Sequence, residues 1–83
     1  MRIIFLPAAR REIRNVTPQL AVRIGVAIDG LARDPRPPGC RLLRDRESRT
    51  WRVRVGDWRI LYEIDDAAAT VTVLRIVHRS KAY

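Results

Sequence analysis

Three arginines, Arg52, Arg54 and Arg59, flank a Gly56-Asp57 pair inside two runs that alternate with a period of two. The runs are Trp51-Arg52-Val53-Arg54-Val55 and Trp58-Arg59-Ile60-Leu61-Tyr62-Glu63-Ile64. Such a pattern predicts a β-hairpin, and glycine at the first central position suits a type II′ turn. With Gly56 and Asp57 as the central residues, Val55 faces Trp58, Arg54 faces Arg59, Val53 faces Ile60, Arg52 faces Leu61 and Trp51 faces Tyr62. Directly opposed residues point to the same side of a sheet. One side then carries Trp51, Val53, Val55, Trp58, Ile60 and Tyr62, and the other carries the three arginines. Like charges opposite one another cost up to about 1 kcal/mol. Three guanidinium groups within about 10 Å make sense as a phosphate site, because the planar fork matches phosphate oxygens. The plainer alternative is a solvated face relieved by Glu63 or by an acidic partner protein. The two tryptophans read as core, with base-stacking platforms as their alternative.

Other chemistry is thinly provided. The chain has one histidine, His78, and one cysteine, Cys40. No pair of carboxylates stands at metal-ligand spacing and no glycine-rich phosphate loop is present, so neither a metal nor another cofactor is expected. A lone cysteine beside Gly39 reads as incidental. Metal-free RNA cleavage remains open, because the ribose 2′-OH is a built-in nucleophile. The protein must then align the attack, stabilise the phosphorane charge and move two protons. Arginine does the charge work, but with a pKa above about 12 it is a poor base. His78 is the only side chain with an unperturbed pKa near neutrality. Tyr83 is the second candidate, since crowded positive charge lowers a phenol pKa. An ordinary surface histidine and a tail tyrosine that is disordered or lies as a lid on the core are the alternatives.

The composition agrees with a polyanionic partner. Of 83 residues, 17 are basic and 9 acidic, giving a net charge of +8. Sixteen of the basic residues are arginine, which GC-rich coding favours, yet such bias swaps lysine for arginine without creating a charge excess. The excess points to nucleic acid or an acidic protein. No apolar stretch approaches the roughly 20 residues of a membrane span. The N-terminal apolar run is too short for a secretion signal and lacks a small-residue cleavage site. The expectation is one cytoplasmic domain over residues 1–83, with no membrane partner.

These side chains need a frame. Residues 2–6 read as a strand, and Pro7 starts a short helix through Arg14. Thr17 as N-cap and Pro18 at the first helical position start a second helix. Its Leu20, Ile24, Ala27, Ile28 and Leu31 follow a buried helical stripe. Asp34-Pro35 and Pro37-Pro38-Gly39 end it. The basic residues around these helices, Arg10, Arg11, Arg14, Arg23 and Arg33, read mostly as a solvated face. Arg41-Leu42-Leu43 is a short edge strand, and Asp45–Arg49 is turn-like. After the hairpin, residues 65–69 turn again, and Thr70–Val77 is a strand apolar on both faces and therefore central. The class is α+β, with two N-terminal helices packed on a small, mainly antiparallel sheet.

The stretch Trp51–Ile64 resembles the RelE family motif, aromatic-Arg-hydrophobic-Arg-hydrophobic-Gly-Asp-Tyr/Trp-Arg-hydrophobic-hydrophobic-Tyr. The tail Val77-His78-Arg79-Ser80-Lys81-Ala82-Tyr83 is similar to the family's closing His-Arg with a tyrosine a few residues on, and Asp34-Pro35 followed by Arg41-Leu42-Leu43 is similar to its approach to the sheet. The resemblance covers nearly the whole chain. It implies a type II toxin that enters the ribosomal A site and cuts messenger RNA as a metal-independent endoribonuclease, leaving a cyclic phosphate or 3′-phosphate end. It also implies a cognate acidic antitoxin as partner. Position by position, it makes Arg52 and Arg54 the basic pair of the first hairpin strand, and Arg59 the contact to the scissile phosphate. It matches His78 and Arg79 to the basic pair after the last strand and Tyr83 to the C-terminal tyrosine. The catalytic candidates are thus Arg59, His78, Arg79 and Tyr83, and the expected RNA-binding residues are Arg52, Arg54 and Lys81. Some members carry lysine where Arg52 and Arg54 stand, which leaves the general base open. A ParE-type inhibitor of DNA gyrase shares the fold and the basic surface, and is the alternative. A non-catalytic nucleic-acid-binding module is the third reading.

Overall fold

Two prolines open the two helices. Pro7 and Pro18 each stand in a first helical turn, where a missing N–H breaks no intrahelical bond, and they start α1 (Pro7–Arg14) and α2 (Pro18–Arg33). Thr17 caps α2, its hydroxyl accepting from the Leu20 N–H at 3.4 Å. Asp34 has left the helical region before Pro35, as a residue preceding proline tends to. The apolar stripe of α2 is buried as its spacing predicts: Ile24, Ile28 and Leu31 lie in the core, and Leu20 and Ala27 pack against it.

The computed structural model describes residues 1–43 and 49–81. Most of the turn expected at Asp45–Arg49, and Tyr83, lie outside these. The strands are β1 (Arg2–Phe5), β2 (Arg41–Leu42), β3 (Trp51–Val55), β4 (Trp58–Asp65) and β5 (Thr70–His78), followed by a 3₁₀ turn at Arg79–Lys81. They form one sheet in the order β1-β5-β4-β3-β2. β1 pairs in parallel with β5, and every other pairing is antiparallel. The expected α+β class and the central place of the last strand both hold. Among the described residues no helix is long and apolar enough to cross a membrane.

The hairpin adopts the expected register, Val55 opposite Trp58 and so on to Trp51 opposite Tyr62. Gly56 has φ +60°, and Asp57 is not in the positive region, as a type II′ turn requires. Trp51 and Trp58 pack, half-buried, against the core, in line with their core reading. Arg36 lies over the Trp51 ring at 5.3 Å and makes a forked ion pair with Asp66, its two nitrogens at 2.9 and 3.3 Å. The fully buried Tyr62 donates its hydroxyl to the Pro35 carbonyl at 2.7 Å, tying the end of α2 to the sheet. Burial pushes this phenol's pKa up, with the Cys40 thiol adding to the effect, so it stays a donor.

The pairing of β4 with β5 contains a bulge. Leu61 faces Arg75 but Tyr62 faces Val73, which leaves Leu74 as an extra residue on β5. Val71 and Val73 before the bulge, and Ile76 after it, all reach the core under the helices. Beyond Phe5 the edge of β5 is open. Glu12 of α1 closes it, accepting from the Ile76 N–H at 2.9 Å and from Arg75 Nε and Nη2 at 2.7–3.1 Å.

Candidate functional site

The helices cover one face of the sheet, and the chemistry-bearing arginines stand on the other. β3 and β4 hold Arg54 directly opposite Arg59, and β2 holds Arg41 directly opposite Arg52. The structure thus brings together the three arginines foreseen from the hairpin and adds a fourth, Arg41. Sequence reasoning missed it because a short edge strand carries no local signal of its register. Arg41, Arg52 and Arg54, with Pro38, Gly39 and Val53, line a cavity of about 330 Å³.

These arginines are not a uniformly solvated face. Arg52 is 3% exposed and Arg59 is 9% exposed, whereas Arg41 and Arg54 are exposed. The Nε and Nη1 atoms of Arg59 are buried without a hydrogen-bond partner among the described residues. A buried cation whose donors lack acceptors is costly, and such a group calls for a specific explanation, such as a catalytic role or a bound water or ion. Guanidinium N–H groups are strong charge-assisted donors to a carboxylate or phosphate. Glu63, the suggested relief for this charge, is exposed and faces Thr72. It stands four residues from Arg59 along β4, roughly 13 Å away at strand rise.

The tail divides. Val77 is the residue opposite Arg59, so the next residue, His78, falls on the other side of the sheet, opposite Trp58. Its ring meets Trp58 edge to face with centroids 5.5 Å apart. It lines a cavity of about 250 Å³ on the helix side, with Glu12, Asn15, Trp58, Arg75 and Lys81 among the walls. The structure therefore does not bring His78 to the arginines. Arg79 returns to the hairpin tip. Its backbone N–H donates to the Asp57 carbonyl at 2.8 Å, and its Nε lies 3.9 Å from Asp57 Oδ1. Lys81 is exposed at the end of the same turn. Arg23, read as part of a solvated helix face, is exposed but lies across the tip. A Cβ at Gly56 would stand 3.4 Å from its Nη2. The hairpin tip is thus ringed by Arg23, Arg54 and Arg79.

The arrangement gathers Arg41, Arg52, Arg54 and Arg59 on one sheet face and extends positive charge around one end of the molecule. Comparison with known proteins shows the family. Residues 3–83 match the family described as the ParE toxin of the type II toxin–antitoxin system parDE. Toxin RelG of Mycobacterium tuberculosis is 38% identical over 80 residues, covering 95% of this chain and 91% of that protein. In the RelBE2 toxin–antitoxin complex of the same organism, a chain 32% identical superposes with a TM-score of 0.82, covering 94% of this chain and 96% of the other. A chain of the RelE–RelB complex from Pyrococcus horikoshii OT3, 19% identical, shares the fold with a TM-score of 0.83 over 98% and 97% of the two chains. The chain belongs to the RelE/ParE superfamily of toxins from type II toxin–antitoxin systems.

Proposed function

We propose that this toxin is a metal-independent, ribosome-dependent endoribonuclease that cleaves messenger RNA, and that an acidic antitoxin holds it in check. The observation that carries the reading is Arg59, a nine-tenths buried guanidinium whose Nε and Nη1 lack acceptors among the described residues. In the proposed reaction the ribose 2′-oxygen attacks the adjacent phosphorus. The 2′-O–P bond forms as the 2′-OH gives up its proton, the P–5′-O bond breaks as the 5′-oxygen takes one up, and the products are a cyclic phosphate and a 5′-hydroxyl. Arg59 donates to the non-bridging oxygens as negative charge builds on them. Arg41, Arg52 and Arg54 hold the strand through neighbouring phosphates, and Arg79 extends the contact at the hairpin tip; Lys81, expected in the same set, lines the cavity on the helix side instead. Tyr83, matched to the family's C-terminal tyrosine, is the side chain we assign to proton transfer.

Two observations favour a second reading, inhibition of DNA gyrase. The matching family is described as ParE, and the only histidine faces away from Arg59. One experiment separates the two. The toxin is expressed briefly, messenger RNA ends are mapped by primer extension, and gyrase supercoiling is assayed in parallel. Cuts within translated codons that vanish in Arg59→Ala and fall sharply in Tyr83→Phe are expected. Intact transcripts with inhibited gyrase would sink the nuclease reading.

A further inference from the structure

His78 has its own geometry, and it is that of a turn-former. The Ser80 backbone N–H points to His78 Nδ1 at 3.3 Å, and the Ser80 hydroxyl lies 3.0 Å from the same nitrogen. A backbone N–H only donates, so Nδ1 accepts, and the proton of the neutral ring sits on Nε2. A side-chain acceptor two residues before a backbone N–H is the hydrogen bond of an Asx-turn, here made by an imidazole. The residue enclosed by that turn is Arg79, whose own N–H is fixed on the Asp57 carbonyl. On the other side the ring is braced against Trp58, the first residue of β4. His78 thus ties the chain leaving β5 to the hairpin tip, beside the Arg54–Arg59 pair.

The same geometry disfavours proton transfer by this ring. The nitrogen that would accept a proton is engaged by Ser80, and the ring faces a cavity shared with Glu12, Arg75 and Lys81 on the far side of the sheet from Arg59. We infer that His78 is a positioning residue: through Nδ1 it holds the Arg79–Lys81 turn and sets Arg79 at the rim of the arginine site, without carrying the reaction's proton. This rests on the nuclease reading for its effect on rate, and on the fold alone for its effect on the turn.

Asparagine decides the matter, because its Oδ1 is reached through the same number of bonds as histidine Nδ1 and cannot carry a proton at neutral pH. Glutamine places its oxygen one bond too far. Single-turnover cleavage of messenger RNA on programmed ribosomes is measured for the full chain and for His78→Asn, His78→Gln and His78→Ala, alone and combined with Arg79→Ala. His78→Asn is expected to stay within about threefold of the parent with an unchanged pH profile, while Gln and Ala lose roughly tenfold or more through displacement of Arg79. In the Arg79→Ala background, His78→Ala should add little further loss, because both remove one function. Asparagine as defective as alanine, or loss of a pH-dependent limb in His78→Asn, overturns the inference. Amide exchange at Ser80, read by NMR on the same proteins, tests the turn without activity. Protection in the parent and in His78→Asn but not in His78→Ala is expected, and equal exchange in all of them overturns the assignment. A parent that cuts no RNA would refute the nuclease reading, and the amide measurement would still decide the role of His78 in the turn.

Discussion

Arg59 stands directly opposite Arg54 across the β3–β4 hairpin, the first 91% buried and the second exposed. Two like charges at one cross-strand position strain the hairpin, and burying one of them adds desolvation. Arg59→Met keeps the length and apolar stem of the side chain while removing both penalties. Thermal unfolding should show a variant as stable as the parent or more so, by about 1 kcal/mol. RNA cleavage should fall by roughly 10²-fold or more, the scale of a lost donor to a developing anion. A clear loss of stability in Arg59→Met would mean that Arg59 holds the fold together and does not await a ligand.

Arg41 is the arginine that the register adds. It faces the buried Arg52 from an edge strand and is itself exposed. If it holds a phosphate of the bound strand, Arg41→Ala should weaken binding of a single-stranded RNA oligonucleotide. The slope of log affinity against log salt should become shallower by about 0.7 for the one lost contact. Exchanging Arg10, exposed on α1, should leave that slope nearly unchanged. Equal effects from the two substitutions would mean diffuse attraction without a defined path.

Glu12 predicts the acid response. Partial burial alone would raise its pKa, but the Arg75 guanidinium, the Ile76 N–H and the nearby Arg11 together outweigh that and hold the carboxyl below its ordinary value of 4.5. A carboxyl with a lowered folded-state pKa stabilises the fold at pH values above its unfolded pKa. That contribution is lost as pH falls through the folded value. Stability should therefore drop on acidification below about pH 4.5, and Glu12→Gln should remove part of that dependence. At neutral pH the same substitution should cost about 1 kcal/mol, since Arg75 is half exposed and solvent screens the pair. Urea denaturation at several pH values measures both, and identical pH profiles for the two proteins would refute the assignment.

Much of the site was legible because it is local. The Gly56-Asp57 turn and the alternation on either side set the hairpin register over a few residues, so the faces of Arg52, Arg54 and Arg59 follow without the rest of the fold. Proline placement, the Thr17 cap and the stripe through Ile24, Ile28 and Leu31 likewise fix the helices within their own segments. The burial of Arg52 and Arg59 was not legible, because alternation tells which face a side chain takes and not what covers it. Arg41 depended on the pairing of β2 with β3 across an intervening segment.

His78 shows most plainly where the sequence stops. β5 is apolar on both faces, with Val71, Val73, Leu74, Ile76 and Val77, so its composition does not say which residues face the helices. In strict alternation from Val71 and Val73, His78 would lie on the arginine face. The bulge at Leu74 inserts one extra residue, and a one-residue shift exchanges the faces of everything beyond it. The sequence alone determined three arginines on one side of a hairpin. The tertiary pairing of β5 with β4 decided that the only histidine stands on the other, because the bulge in that pairing shifts every later residue of β5 by one position.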